Sequence, residues 1–408
     1  MIDIAIMGHG VVGSGVVEVL LHNSESIKRR AGNEINIKYI LDLRDFSDSP
    51  VKDRFTKDFN DILNDNDVKI VVETMGGLKP AYEYVKALLT AGKSVVTSNK
   101  ELVAAHGQEL LKIAKENNLN FLFEASVGGG IPIIRPIMQC LAANEFGEIV
   151  GILNGTTNFI MTKMIKDGMN FSDALSLAQK LGYAERDPSA DIDGHDSCRK
   201  ICILASLAFG KHVYPNQVHT EGISKITSAD VAYAAKWGGV IKLIASVKKL
   251  DDGRVTCAVY PAFVPNDSQL SSVDDVFNAI MVSGDAIGDV MFYGRGAGKL
   301  PTASAVVADV IDCVKHVKAR KYLYWEPGDA NYVADYLDNT AELFFRAHTD
   351  DYQTAKNAVI KEFGEVKFLS DDNANEIAFI TNKGIERELI SAFERTGLAA
   401  DAMIHVLY

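Results

Sequence analysis

Hydrophobic and polar positions along the chain fall into three successive rhythms. In the first 136 residues, short apolar runs alternate with stretches whose apolar residues recur at helical spacing. Strands are predicted at 2–7, 36–41, 69–73, 94–97 and 120–124, with helices at 16–21, 80–91 (ended by Gly92) and 101–115. That alternation predicts an α/β, Rossmann-type doubly wound and mostly parallel sheet, with ligands at the carboxyl ends of its strands. After Pro136 the rhythm changes. A strand at 148–153 precedes helices at 161–166, 172–181 and 195–209, the last stopped by Gly210. A helix at 231–243 and a strand at 254–264 follow, the mixture of an α+β substrate and oligomerisation domain. Residues 325–331 read as loop around Pro327 and Gly328. The remainder runs strand 342–347, helix 352–363, strands 366–370 and 376–381, helix 385–396 and strand 402–407. That βαββαβ order predicts a ferredoxin-like module. The expected domains are therefore 1–136, completed by 301–318; 137–300; a linker at 319–335; and 336–408.

Composition narrows the function classes. With 408 residues the chain is long enough for two or three substantial cores. A net charge of −12 argues against nucleic-acid or anionic-membrane partners, which need clustered Lys and Arg. The five cysteines are scattered without CxxC spacing and read as reduced thiols, mostly core filler. No apolar run approaches a membrane span, and MIDIAIMG opens as a strand without a basic leader. A cytoplasmic protein is expected.

Candidate chemistry concentrates in a few segments. GHGVVGSG places Gly8, Gly10 and Gly13 in the G-x-G-x-x-G pattern between a strand and a helix, where backbone N–H groups can meet a pyrophosphate. Asp42, ending the second strand, is a candidate for a ribose 2′-hydroxyl, and Arg44 one for a phosphate. Lys100 opens a helix, where the dipole disfavours a cation. In EASVGGGIPII, Glu124 and three successive glycines make either a tight turn or an oxygen-only site for a hard cation. GRGAGKLPTASAVVAD, residues 294–309, is a second glycine turn into a helix that could return the chain to the cofactor crevice. The richest stretch is GYAERDPSADIDGHDSCRK, residues 182–200. On the helix expected there, Asp196 and Lys200 share a face, as an exposed ion pair or as a carboxylate beside a proton-transferring lysine.

The ordered series GHGVVGSG, TSNKEL, EASVGGGIPII, NGTTNF, LGYAERDPSADIDGHDSCRK and GRGAGKLPTA resembles homoserine dehydrogenase from Ile2 to about Lys318. The C-terminal segment looks like the ACT regulatory domain that many bacterial members append. The resemblance implies reversible NAD(P)-dependent reduction of L-aspartate 4-semialdehyde to L-homoserine, on the route to threonine, isoleucine and methionine, by a homodimer or homotetramer. It implies Lys200 as general acid and base, Asp196, Glu185 and Gly182 as substrate contacts, and Lys100 as a contact to both cofactor and substrate. It also implies a cofactor site for NAD or NADP made by Gly8, Gly10, Val11, Val12 and Gly13. Asp42, Arg44, Gly296 and Gly298 complete that site. A sodium ion is implied at the Glu124 carboxylate and the carbonyls of Val127, Gly129 and Ile131. Two positions depart from the family pattern: His9 replaces an apolar residue, and ILDLRD lacks a basic residue before its acid. The competing class is a sensor without catalysis, against which the presence of Lys100, Glu185, Asp196 and Lys200 argues. A phosphorylating oxidoreductase would need a nucleophilic cysteine in a strand-end turn, and none of the five sits in one. The C-terminal module has no glycine or proline between Ala347 and Val359, where amino-acid-binding relatives carry them, and Asp350 and Asp351 are expected to cap its first helix. Weak threonine feedback, and a module that extends a sheet between subunits, are the expectations.

Overall fold

A computed structural model describes residues 1–408 except 318, 320–322, 373 and 408. The expected end of the first domain at Lys318 and part of the expected linker therefore lie outside the described residues. Contacts divide the chain into two compact units: Met1–Phe146, Arg199–Pro215 and Ser283–Asp329 form one, and Gly147–Cys198, Asn216–Val282 and Ala330–Tyr408 the other.

In the first unit, strands β1 (Ile2–Met7), β2 (Ile35–Leu41), β3 (Phe55–Thr56), β4 (Val68–Glu73), β5 (Ser94–Thr97) and β6 (Phe121–Leu122) pair in the order β3-β2-β1-β4-β5-β6. Every pair is parallel. Ile4, Ile6, Val71, Val72, Val95 and Val96 have no exposed surface, as strands covered on both faces require. The connecting helices are α1 (Val11–His22), α2 (Ser24–Ala31), α3 (Phe59–Leu63), α4 (Ala81–Thr90) and α5 (Lys100–Glu116). α1 starts five residues before the expected 16–21, directly after Gly10, and α2 was not foreseen because its polar sequence SESIKRRA buries only Ile27 and Ala31. Trp325, placed by its neighbours in a loop, is in fact 1% exposed, and its indole donates to His212 Nδ1 at 2.8 Å. His212 Nε2 meets the Ala104 carbonyl at 2.9 Å, and burial pushes the imidazole down to about 4. The segment is thus tied to α5 through His212.

The rest of the chain follows as β7 (Phe146–Ile152), α6 (Gly155–Lys166), α7 (Phe171–Lys180), α8 (Ser189–Ile192) and α9 (His195–Phe209). Next come β8 (His219–Thr220), α10 (Ser228–Trp237), β9 (Gly239–Lys249), β10 (Val255–Pro265), β11 (Phe277–Gly284), β12 (Gly288–Arg295) and α11 (Lys299–Lys315). The expected helix at 231–243 is corrected here. Gly238 takes a left-handed φ of +106 and ends α10, and the β-branched run after it pairs antiparallel with β10 over its whole length. The C-terminal module contains β13 (Thr340–His348), α12 (Tyr352–Phe363), β14 (Lys367–Phe368), β15 (Glu376–Ile380), β16 (Gly384–Ile385), α13 (Glu386–Arg395) and β17 (Ala402–Val406).

Strand order in the second unit is β11-β7-β9-β10-β17-β13-β15-β14. Its last four strands, with α12 and α13, have the order of a ferredoxin-like module. β17 runs parallel to β10 through Ala262↔His405 and Phe263↔Val406, so one sheet continues within the chain from the central strands into the module. Leu343, Phe345, Val359, Ile377, Phe379 and Phe393 form the module's core. Of the two expected capping residues, only Asp351 caps α12, accepting from Thr354 N at 3.1 Å. Asp350 instead faces His348 at 3.5 Å.

Candidate active site

In the first unit the glycine turn is built by main chain. Gly8 has φ +92, and a Cβ there would meet the Thr74 carbonyl at 3.0 Å. A Cβ on Gly13 would overlap the Gly8 carbonyl oxygen, whereas around Gly10 the space is open for 4 Å. The turn therefore exposes the first N–H groups of α1 toward open space, the requirement for a bound pyrophosphate, so the residues present fit a dinucleotide. Thr74, just beyond β4, fixes the turn by donating to the carbonyls of Met7 (3.1 Å) and Gly8 (3.0 Å). The second glycine turn comes back to the same place. Gly130 N donates to Arg295 O at 3.2 Å, a Cβ on Gly129 would overlap the Gly296 carbonyl, and Lys299 at the start of α11 pairs with Glu18 of α1 at 2.6 Å. Gly298 caps α11.

Asp42 stands at the end of β2 as expected, and accepts from His9 N at 2.8 Å. Arg44 is committed to it, with Nε at 3.0 Å from one oxygen and Nη2 at 2.8 Å from the other. The guanidinium first, then the two main-chain N–H groups, hold the Asp42 carboxyl well below the usual carboxylate range against the effect of burial. Arg44 also lies over the Phe46 ring at 5.2 Å. The departure at His9 finds its physical place here. Its ring meets Phe46 and Phe55 edge-on at 4.8 and 5.0 Å, and burial lowers its pKa, so it fills an apolar position as a neutral ring.

Lys100 begins α5, whose N-cap Asn99 accepts from Leu102 N at 3.0 Å. The neighbouring Glu101 pairs with Arg199 at 3.2 Å. Residues adjoining Lys100 and Lys200 are thereby joined within one unit. A carboxylate that the sequence reading passed over lies close by: Glu73, fully buried at the end of β4, accepts from Met75 N (2.7 Å), Gly76 N (3.2 Å) and the Thr97 hydroxyl. Burial raises its pKa. Its position at a strand's carboxyl end was the available signal.

The Glu124 carboxylate is held by the turn that follows it. It accepts three main-chain N–H groups, from Ile133 (2.6 Å), Ile134 (2.8 Å) and Arg135 (3.0 Å). Carboxylates are good partners for a cluster of main-chain donors, and the turn after the glycines supplies one. Val127, Gly129 and Ile131 follow on the same loop. Among the described residues no group of three His, Cys, Asp or Glu side chains could hold a metal ion.

On α9, Asp196 and Lys200 lie one turn apart and are 5% and 7% exposed, so the reading of a solvated surface pair is excluded. Asp196 Oδ2 accepts from Asn154 Nδ2 at 2.9 Å, and the same nitrogen donates to Asp191 Oδ1 at 2.7 Å. Gly182, with φ +76, ends α7, and Glu185 stands exposed on the loop beyond, its carbonyl accepting from Gln179. Asn154 was missed as a single residue although its segment NGTTNF was noticed, because it acts across 42 positions.

A parallel sheet of this order, opened by a glycine turn at a helix N-terminus, defines a dinucleotide-binding protein. Residues 8–124 match the family model of the NAD-binding domain of homoserine dehydrogenase, and residues 132–311 that of homoserine dehydrogenase itself. The chain is 38% identical to the homoserine dehydrogenase of Neisseria gonorrhoeae over 96% of this chain and 94% of that one. The crystal structure of a homoserine dehydrogenase from Thiobacillus denitrificans superposes with a TM-score of 0.90 at 33% identity, covering 100% of this chain and 98% of the other. A hyperthermophilic archaeal homoserine dehydrogenase in complex with NADPH aligns with a TM-score of 0.65 at 30% identity, over 76% and 97% of the two chains. The chain belongs to the homoserine dehydrogenase family, NAD(P)-dependent oxidoreductases that act on a CH–OH group and interconvert L-homoserine and L-aspartate 4-semialdehyde. Among the described residues no helix is long and apolar enough to cross a membrane.

Proposed function

We propose that Lys200 is the proton donor and acceptor of this reaction, assisted by Lys100, with Asp196, Glu185 and Gly182 holding the substrate. The observation that carries this reading is the burial of Lys200 and Asp196 one turn apart on α9. A lysine sequestered from bulk water suits proton exchange with a single bound oxygen. As the aldehyde carbon is reduced, the Lys200 ammonium protonates the developing alkoxide, and in the reverse direction the neutral amine takes the hydroxyl proton. The nicotinamide supplies or accepts the hydride. Carboxylates at 185 and 196 match the charge of the substrate's ammonium.

The nucleotide reading rests on Gly8, Gly10, Val11, Val12 and Gly13 at the start of α1, with Gly296 and Gly298 from the second turn. Both NAD and NADP serve, with NAD preferred, because Asp42 meets the ribose end and its partner Arg44 is already engaged. A sodium ion would be held by the Glu124 carboxylate, which keeps a lone pair beyond the three N–H groups it accepts, and by the carbonyl oxygens of Val127, Gly129 and Ile131. The C-terminal module is read as an ACT-like domain in an oligomer of two or four chains.

The test is the initial rate of NAD(P)H formation from L-homoserine by purified Lys200→Ala. A loss of about 10² to 10⁴ in rate with nucleotide binding retained is expected. A variant that keeps more than about a tenth of the wild-type rate removes Lys200 from this role.

A further inference from the structure

Asn154 joins three separate pieces of the second unit through one side chain that is 4% exposed. It is the N-cap of α6, and its Oδ1 accepts from Thr157 N at 2.8 Å and from the Thr157 hydroxyl at 3.0 Å. A main-chain N–H can only donate, so the orientation of the amide is fixed: oxygen toward the helix, NH2 away from it. The two hydrogens of that NH2 go to two different carboxylates. Asp191, on α8, receives one at 2.7 Å, and Asp196, on the first turn of α9, the other at 2.9 Å. Each carboxylate gives the amide one oxygen.

Asp196 is buried and Asp191 half-buried, and two carboxylates that meet at one nitrogen repel each other, which a donor between them eases. A neutral donor placed between them keeps both in position without cancelling their charge. A lysine or arginine there would cancel it, and a hydroxyl could serve only one of them. We propose that Asn154 is a positioning residue for the substrate site: its amide holds the Asp191 and Asp196 carboxylates side by side to receive the substrate's ammonium. The proposal rests on the reading of Asp196 as an ammonium ligand given above, and adds to it the means by which that carboxylate is aimed.

Substitutions at 154 separate clamping from capping. Aspartate is as good an N-cap as asparagine, so Asn154→Asp keeps the bond to Thr157 while losing both amide donors. Asn154→Ser also retains a cap and is too short to reach both acids. Both variants are expected to raise the KM for L-homoserine about tenfold to a hundredfold, as loss of hydrogen bonds to charged groups does. The Kd for the nucleotide, read by fluorescence titration, should stay at the wild-type value in both, whereas the Tm should fall for Asn154→Asp, which sets a third carboxylate against the other two, more than for Asn154→Ser. Combined with Asp196→Asn, Asn154→Asp should add less than its separate effect, because the two residues act as a unit. A wild-type homoserine KM in either folded variant overturns the proposal. The parent reading is scored separately by Asp196→Asn alone. If that variant raises the homoserine KM and the Asn154 variants do not, the ammonium site stands and the clamp falls. If Asp196→Asn leaves the KM unchanged, both fall.

Discussion

Around the glycine turn of the first unit the polar atoms turned toward a ligand belong to the main chain, whereas around Asn154 in the second unit they belong to side chains. Around Gly8, Gly10 and Gly13 the important property is the absence of Cβ atoms, and a single added carbon at Gly13 would overlap a carbonyl. Around Asn154 the important property is the identity of one amide that meets two carboxylates and a helix end. The contrast follows the ligands proposed for the two places. A pyrophosphate carries delocalised negative charge and is well served by any row of N–H groups. An amino acid's ammonium is a compact charge that needs carboxylates at defined positions. A cradle of main chain fails by steric intrusion, and a cradle of side chains fails by loss of a charge or a donor.

Substitutions that exchange these modes of failure should break the comparison cleanly. Gly13→Ala has the largest expected effect in this set, a rise of about 10²-fold in nucleotide Kd by fluorescence titration, because displacing the turn misaligns the whole row of donors. Nucleotide binding unchanged by the added carbon would remove the steric account. Asp196→Asn should raise the homoserine KM by about tenfold while leaving nucleotide Kd unchanged; equal changes in both would erase the division between the halves. Asp42→Ala releases Arg44 from its bidentate partner and should improve the NADP-to-NAD ratio of kcat/KM by a few-fold, while Arg44→Ala should harm NADP selectively. A wild-type enzyme that already prefers NADP by about tenfold, or 1.4 kcal/mol, would reject that assignment. The smallest effect is expected from L-threonine, which should inhibit little at saturating homoserine and nucleotide. Strong inhibition at low millimolar threonine, lost on removing residues 336–408 with activity retained, would make the module a working sensor.

What could be read from the sequence tracks the same contrast. The glycine turn was legible because a demand for missing side chains leaves a mark in composition at fixed spacing. Asp196 and Lys200 were legible because both lie on one helix, where four residues make one turn. Their burial was not, since helical spacing does not reveal what covers a face. The link from Asn154 to Asp191 and Asp196 spans 37 and 42 residues, and no local pattern encodes it. The partners of Glu124 were hidden for a related reason. A carboxylate beside three glycines does not announce that the N–H groups of Ile133, Ile134 and Arg135, nine to eleven residues on, gather around it. The helix extended to residue 243 failed because Lys242, a charged residue in the strand β9, is buried against Asn158 and Asp274 and masks the alternation expected of a strand.

The parallel pairing of β17 with β10 also sets an order of events during synthesis. β10 is translated roughly 140 residues before its partner, and β8 covers only the part of its edge at Ala258 and Val259. Until the last strand leaves the ribosome, Ala262 and Phe263 present an unpaired apolar edge that another nascent chain could join. The parallel sheet of β1 to β6, in contrast, has all its strands within the first 122 residues, although α11, which belongs to the same unit, follows only at Lys299–Lys315. A stop codon or proteolytic cut a few residues upstream of Ala402 would thus leave the early half folded and turn the late half into a template for aggregation.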